Sequence, residues 1–290
     1  MSRAEPLSSA DEALSRACID GDVDRAAEAL ARGAHLELGG TSLVLAATRG
    51  HARLFRWLLE RGADLPPGAR AFFEAITHDQ VGVVTLCLEA GLTVDDVDPS
   101  TGRLPLATAV GAGAAQVVTL LLRLGAAVDA AAPADGKAAV HAVARMPASA
   151  YAKGVATAIM SRLFEAGVKV AAVDAHGQTL LHEACGNGAL PAAMLEVLLS
   201  LDIAIDARDT WGSTALWVAA HGSRIDLVTV LLARGADPTV VTTMDSPLAR
   251  RGTSVYDAAR ERGELKLLSL LRDAGAKPVI HGRGPAPRDR

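Results

Sequence analysis

His182 and Cys185 are the two residues of this sequence whose types and spacing could do chemistry together. They are three residues apart, so they would share one face of a helical turn, and imidazole nitrogen with thiolate sulfur is a common zinc ligand pair. A zinc site needs further ligands, and no third and fourth ligand follow at the spacing of a metal motif. We therefore predict no metal site and no cofactor.

Other signatures of catalysis are also missing from the sequence. It contains no G-x-S-x-G, no H-E-x-x-H and no G-x-x-x-x-G-K-[ST]. The nearest approach to a phosphate loop, at 111–114, lacks the third glycine and falls in a predicted turn between helices. Cys18 and Cys87 lie at apolar spacing on predicted helices, and no cysteine has the basic neighbours that lower a thiol pKa. These observations predict a protein that is not an enzyme.

The composition indicates a helical protein made of small layers. Half of the residues are hydrophobic but only 3% are aromatic, so the apolar residues are mostly Ala, Leu and Val. Ala and Leu are strong helix formers, and small side chains allow helices to approach closely. The net charge of −4 lacks the basic excess of a nucleic-acid binder.

Cellular location is inferred from what the chain lacks. Three widely spaced cysteines do not form a disulfide framework and suit a reducing compartment. The first 17 residues hold no uninterrupted apolar core of a signal peptide, and no apolar stretch is long enough for a membrane span. We expect a cytoplasmic protein. The preference for Ala and for Arg over Lys suggests a bacterial source.

Internal repeats determine the predicted fold. The string LL-x-x-G-A occurs clearly at 58–63, 121–126 and 231–236, with weaker copies elsewhere. The glycines of these copies, or Asp202 in the copy that lacks one, stand at positions 33, 62, 91, 125, 167, 202, 235 and 275. Their spacing scatters around about 33 residues.

A second signature precedes each of these strings. Its best copies are GQTLLHEAC (177–185), GSTALWVAA (212–220), GRLPLATAV (102–110) and GKAAVHAVA (136–144). They resemble the G-x-T-P-L-H-x-A-A pattern of ankyrin repeats, and the period agrees with that family. The resemblance implies an all-α solenoid of helix-turn-helix units joined by finger turns. It also implies that His182 and His141 are packing residues that bond neighbouring repeats, and that Cys185 fills a small buried position.

The repeats define the expected domain limits. We predict an N-terminal tail at 1–10, a repeat domain at 11–277 and a disordered tail at 278–290. The repeats should end near 34, 63, 92, 126, 168, 203, 236 and 276. The segment 147–154 adds eight residues between the two helices of the fifth repeat, and 241–252 lengthens the last finger. Both additions fall in turns, where repeat proteins accept them.

Resemblance to ankyrin repeats implies that a protein partner binds the finger tips and the concave surface of the inner helices. By register, and including two residues of the 147–154 insertion, the candidate partner-binding residues are Arg49, Glu74, His78, Arg103, Lys137, Tyr151, Lys153, Gln178, Glu183, Asn187, Trp211, Ser213, Val218 and His221. Their mixed charges suit a folded protein surface better than a polyanion. No nucleic acid or membrane partner is expected, and the chain alone should be a monomer.

Aromatic residues are exceptions to the small-residue composition. Trp211 lies in a finger, where it is either an interface anchor or a stacking partner of the adjacent finger. Trp217 and Trp57 lie on predicted helices and are expected to pack. The inserted Tyr151 and Lys153, and Arg250 and Arg251 of the last finger, either add specificity or reflect tolerated variation.

Three functional interpretations remain from the sequence. The first is an adaptor or inhibitor that binds one protein partner, with an immunity protein against a bacterial toxin as a special case. The second is a secreted effector that acts on host proteins. The third, an enzyme on a repeat scaffold, lacks any supporting motif.

Overall fold

The computed structural model describes residues 8–36, 41–201, 203–261 and 263–279. These residues form α-helices joined by turns, with no β-strand among them apart from one isolated antiparallel bridge between Val241 and Ser254. The all-α architecture of helix-turn-helix repeats is thus confirmed. The chain divides into two compact units, Met1–Lys169 and Val170–Arg290.

The first unit holds five repeats. Its helices are α1 (Ser9–Asp20), α2 (Val23–Ala31), α3 (Thr41–Arg49), α4 (Ala52–Glu60), α5 (Arg70–Thr77), α6 (Val81–Glu89), α7 (Pro105–Ala112), α8 (Ala115–Arg123), α9 (Ala139–Ala142), α10 (Ala148–Ala152) and α11 (Val155–Glu165). The first helices of successive repeats, α1, α3, α5, α7 and α9, pack side by side and are called the inner helices. The outer helices α2, α4, α6, α8 and α11 form a second row.

The second unit holds three repeats. Its helices are α12 (Leu180–Gly186), α13 (Ala192–Leu199), α14 (Ala215–His221), α15 (Ile225–Ala233), α16 (Val255–Arg260) and α17 (Leu265–Asp273). The inner helices α12, α14 and α16 are again neighbours in sequence order, and α13 packs on α15.

The recurring L-x-x-x-G-A string is the C-terminus of each outer helix. The glycines at 33, 62, 91, 125, 167, 235 and 275 have φ between 81° and 108°, a left-handed conformation that glycine adopts without strain. The residue after each of them donates its N–H to the carbonyl five residues earlier, as Ala63 does to Leu58 at 3.1 Å. This is a Schellman ending, which satisfies carbonyls that the helix leaves open. Asp202 lies outside the described residues.

The position four residues before this glycine, or before Asp202 in the sixth repeat, faces the core. Its occupants are Ala29, Leu58, Cys87, Leu121, Leu163, Leu198, Leu231 and Leu271, none more than 2% exposed. Burying a leucine side chain contributes about 1.5–3 kcal/mol. The same string therefore ends a helix and supplies its main core contact, and this explains why it recurs.

The fifth repeat departs most from the pattern. Its inner helix α9 spans only Ala139–Ala142 and continues as a 3₁₀ turn, Val143–Arg145. The inserted segment, expected as an extended turn, instead forms the short helix α10. Met146, at the junction, is fully buried. The insertion is therefore folded into this repeat as an additional helical turn.

Polar side chains join neighbouring repeats in both units, and Asp79 and Arg224 are two examples. In the first unit, Asp79 adopts φ 56°, and its Oδ1 accepts the N–H of Val117 at the start of α8, at 2.8 Å. In the second unit, the Arg224 guanidinium donates to the carbonyls of Asn187 and Leu190, at 2.7 and 2.6 Å. The Asp79 contact satisfies an N–H of the first turn of α8, and the Arg224 contacts hold the loop between α12 and α13.

The structure places ordered residues inside both segments that the sequence predicts as tails, 1–10 and 278–290. Helix α1 begins at Ser9, inside the segment 1–10, because Ser8 and Asp11 form a capping box. The N–H of Val279 donates to Asp257 Oδ2 at 2.9 Å, so the chain is still anchored beyond 277. Residues 1–7 and 280–290 lie outside the described residues.

Candidate interaction surface

His182 forms hydrogen bonds through both of its ring nitrogens, and one of these bonds reaches the next repeat. The Thr179 N–H donates to Nδ1 at 3.2 Å, and Nε2 lies 3.0 Å from the Ser213 carbonyl, to which it donates in the matching tautomer. Burial lowers the pKa of this histidine, because the charged form would lose its hydration. A neutral ring with both nitrogens engaged has no lone pair left for a metal.

The three cysteines are buried thiols. Burial raises the pKa of Cys18 to about 11 and those of Cys87 and Cys185 to about 12. A thiol with so high a pKa is almost entirely protonated at neutral pH and is a poor nucleophile. Within the described ranges, no group of three or more histidine, cysteine or carboxylate side chains could hold a metal ion.

Two aspartates build the first two fingers of the second unit. Asp174 Oδ1 accepts the N–H groups of His176 and Gln178, at 2.8 and 2.9 Å. Asp209 Oδ1 accepts those of Trp211 and Ser213 in the same way, at 3.0 and 2.8 Å. Because the carboxylate and backbone make each turn, the side chain at the tip is not needed to fold it.

Backbone hydrogen bonds place three finger tips next to one another. The Thr210 N–H donates to the His176 carbonyl at 2.9 Å, and the Thr243 N–H donates to the Trp211 carbonyl at 2.8 Å. Gly212 allows this approach, since a Cβ there would lie 2.8 Å from the Thr243 nitrogen. The side chains at positions 176, 211 and 244 therefore occupy adjacent tips.

Trp211 is half-buried and contacts the adjacent finger. Its indole lies 5.1 Å from the His176 ring, centroid to centroid, with the planes tilted by 32°. His176 itself is exposed. The ring thus contacts a neighbouring finger and still presents surface to solvent, and its role as an interface anchor stays a prediction. Trp217 is buried, as expected, and stacks on His221 at 5.3 Å.

The other candidates in the second unit lie along α12, α14 and their fingers. Gln178, Glu183, Asn187, Val218 and His221 are all half-buried. Gln178 Nε2 is 3.4 Å from Asp209 Oδ2. Ser213 is only 4% exposed, so the expectation of an accessible side chain there is wrong. The turn made by Asp209 draws Ser213 inward, where its carbonyl meets His182.

The candidates in the first unit fall into a separate set. Arg49, His78 and Lys153 are exposed, whereas Glu74, Arg103, Lys137 and Tyr151 are half-buried. Glu74 lies between two basic side chains, with Arg70 Nε at 3.2 Å and His78 Nε2 at 3.8 Å. Glu74 and Arg103 line one groove of about 510 Å³ beside the finger at 98–103. The structure brings these two together and leaves Arg49, Lys137 and Lys153 outside that groove.

Tyr151 has a structural role that the sequence did not reveal. Its hydroxyl donates to the Val143 carbonyl at 2.8 Å, at the point where α9 gives way to the 3₁₀ turn. Burial raises the pKa of Tyr151 to about 12. The hydroxyl of this inserted residue therefore bonds the repeat itself, and a role of Tyr151 in partner binding stays a prediction.

Two tip residues were missed by sequence reasoning. His176 occupies the same place in the finger D-A-H-G as Trp211 does in D-T-W-G, two residues after the aspartate. That shared position was a usable signal. Met244, which is 52% exposed, stands at the next tip only because Thr243 and Met244 bond to the Trp211 carbonyl. No sequence pattern announces that contact.

Comparison with known proteins gives two matches. The family model described as ankyrin repeats matches residues 148–242, with three copies. Over 116 residues the chain is 34% identical to the B-cell lymphoma 3 protein homolog of Mus musculus, covering 39% of this chain. The aligned part spans 25% of the mouse protein, about a quarter of its length. In the part of the chain that the structure describes, no helix has the length and apolar character needed to cross a membrane.

Proposed function

This chain is an ankyrin-repeat protein, and from that premise we propose that it binds one protein partner through its finger tips and the exposed sides of its inner helices. Ankyrin repeats are protein-interaction modules. The observation that carries the proposal is the pair Trp211 and His176, whose tilted rings lie in contact, with centroids 5.1 Å apart, at adjacent finger tips. We place the centre of the interface at this pair.

Trp211 is suited to anchor a partner because its finger does not depend on the indole. Asp209 and the backbone hold the turn, and His176 restrains the ring before any partner arrives. A restrained, half-exposed tryptophan loses little side-chain freedom on binding and offers a large apolar area. Tryptophan is also among the residues most enriched at binding hot spots.

The surface around this pair supports a protein partner rather than a polyanion. Five candidate residues of this surface carry one formal charge between them, the negative charge of Glu183. The other four are Gln178, Asn187, Val218 and His221. Nucleic acid would need a run of lysine and arginine to neutralise phosphates. We propose a monomeric, cytoplasmic adaptor or inhibitor, with an immunity role against a toxin as one form of it.

Catalysis is not part of the proposal. Both ring nitrogens of His182 are engaged in hydrogen bonds, one of them to the next repeat, and the raised thiol pKa values disfavour a cysteine nucleophile. The groups whose types suggested chemistry therefore have packing roles that account for their positions.

The test compares two tryptophan variants of the full chain. Proteins captured by the immobilised wild type are identified, and the Kd of the most abundant one is measured against wild type, Trp211→Ala and Trp57→Ala. Trp57 is a matched control, because it is also half-buried but lies on α4, under the Arg61 guanidinium at 4.7 Å.

The expected result is a loss confined to one variant. Trp211→Ala should weaken binding by about 2 kcal/mol or more, roughly thirtyfold, as for a hot-spot tryptophan. Trp57→Ala should change the Kd by less than about twofold. Equal binding by wild type and Trp211→Ala would show that the finger tips are not the interface.

A further inference from the structure

The last finger, residues 242–252, is longer than the repeat requires and is held in one conformation. Thr242 Oγ1 donates to the Arg250 carbonyl at 2.8 Å, and the Ser246 N–H donates to the Ala249 carbonyl at 2.8 Å. The Arg251 N–H donates to Asp245 Oδ1 at 2.8 Å. Because hydrogen bonds cross the loop at several points, its tip is preorganised.

This ordered loop holds large apolar side chains in water. Met244 is 52% exposed and Leu248 is 57% exposed. Single exposed apolar residues are ordinary, but two on one braced loop, outside the repeat core, contribute nothing to that core. They are available to a partner.

A groove of about 390 Å³ lies between the loop and helix α16. Pro247, Leu248 and Ala249 form one wall, and the exposed side chains of Arg250 and Arg260 stand beside it. The groove thus combines an apolar wall with two guanidinium groups. Such a combination suits an apolar side chain next to a carboxylate.

The acidic side chains that line the groove in the described structure form no ion pair with the Arg250 guanidinium. Asp257 is 5% exposed, and its Oδ2 accepts Ser254 Oγ at 2.7 Å while Arg260 Nη2 lies 3.3 Å from Oδ1. Glu261 is exposed at the edge. Among the residues that the structure describes, no carboxylate pairs with Arg250. An arriving carboxylate would find a charge-assisted hydrogen-bond donor already in place.

We propose that this groove is a docking site for an acidic peptide segment of the partner, in which an aspartate or glutamate stands beside a bulky apolar residue. The carboxylate binds Arg250, and the apolar side chain packs on Leu248 and Pro247. The inference rests on the proposed function, since it names the chemistry of a segment that such a partner presents. It uses a surface other than the Trp211 tip.

The experiment selects the peptides without assuming their sequence. A phage library of random 12-residue peptides is panned on the full-length wild-type chain. Enriched peptides are synthesised, and their Kd values are measured against wild type, Arg250→Glu, Leu248→Ser and Trp211→Ala. Arg251→Glu is the matched control, because it makes the same charge change one residue away, outside the residues that line the groove.

The expected result is a class of peptides that depends on the groove. These peptides carry Asp or Glu next to Leu, Ile, Met or Phe, and bind Arg250→Glu about tenfold more weakly, as for loss of a charge-assisted hydrogen bond. Leu248→Ser should also weaken them. Arg251→Glu and Trp211→Ala should stay within twofold, which separates this site from the tip interface.

Three results would overturn the proposal. The first is that no enriched peptide loses affinity on Arg250→Glu. The second is that the peptides which lose affinity are not acidic, and the third is that Arg251→Glu weakens them as much. Circular dichroism checks the fold of each variant, and Arg250→Gln replaces Arg250→Glu if the latter does not fold.

Discussion

Three inner helices of the first unit begin differently from those of the second unit. Those of the second unit begin after hydroxyl residues, namely Thr179, Thr214 and Ser254. Helices α5, α7 and α9 of the first unit begin after Ala69, Leu104 and Ala138, whose side chains accept no hydrogen bond. The second unit thus satisfies its first helical N–H groups with local caps, and these three helices of the first unit do not.

In α5 and α7 of the first unit, side-chain burial or an N-terminal proline takes the place of a capping side chain. Phe72 and Phe73 of α5 are buried edge to face, with centroids 5.4 Å apart, and α7 starts with Pro105, which has no N–H to satisfy. A cap contributes about 1 kcal/mol, whereas a buried aromatic ring contributes more. One repeat geometry can therefore be specified by capping or by packing, and the T-x-x-H signature is present in the capped start of α12, at Thr179 and His182.

The largest expected effect tests packing in the first unit. Phe72→Ala should lower the free energy of unfolding by about 3–5 kcal/mol, because it leaves a cavity in a fully buried site. Urea unfolding followed by circular dichroism measures the change, with exposed Arg70→Ala as the control in the same helix. A loss below about 1 kcal/mol for Phe72→Ala would mean that α5 does not depend on packing.

The next effect exchanges the two ways of starting a helix. Thr179→Ala should destabilise by about 1 kcal/mol, because it removes the hydroxyl from the capping box with His182. Ala138 occupies the corresponding position before His141 in the fifth repeat and is equally buried. Ala138→Thr should therefore stabilise by about 0.5–1 kcal/mol in the same urea experiment. If both substitutions destabilise, the two helix starts are not equivalent.

A smaller effect concerns the interrupted helix of the fifth repeat. Tyr151→Phe should destabilise by about 0.5–1.5 kcal/mol, since the Val143 carbonyl loses its hydroxyl donor while the ring stays packed. Differential scanning calorimetry measures the decrease in the unfolding temperature. The amount of partner captured should be unchanged. If Tyr151→Phe were as stable as wild type but captured less partner, Tyr151 would be part of the interface.

The last prediction is a pH dependence of the first repeat, whose inner helix α1 is capped. The His35 N–H, at 2.8 Å, and the Ser8 hydroxyl hold the pKa of Asp11 at about 2 rather than its usual 3.8. A carboxyl whose pKa is lower in the folded than in the unfolded protein stabilises the fold at pH values above its unfolded-state pKa. That stabilisation is lost as the pH falls from about 4 to about 2. Thermal unfolding across this range measures it. Asp11→Asn should flatten the slope, and an unchanged slope would assign it to other carboxylates.

Sequence reasoning predicted the repeats because their markers act locally. A glycine such as Gly235 is needed for its left-handed turn, and Leu231 is needed for the core, so both recur at a fixed distance. The surface depends on contacts between repeats that no spacing encodes. The Ser213 N–H donates to Asp209, which places Ser213 in the interior. The Tyr151 hydroxyl donates to the Val143 carbonyl, where α9 changes to a 3₁₀ turn. Residues at equivalent positions of two repeats can thus lie on the surface in one repeat and form an internal hydrogen bond in the other.

Arg224 has a consequence for how the second unit opens. It belongs to the seventh repeat, yet its guanidinium closes the loop of the sixth by holding the carbonyls of Asn187 and Leu190. The sixth repeat cannot unravel at that loop without releasing both bonds from its neighbour. We therefore expect hydrogen–deuterium exchange in the two repeats to occur in a common step, so that a partner bound to one of them slows exchange in both.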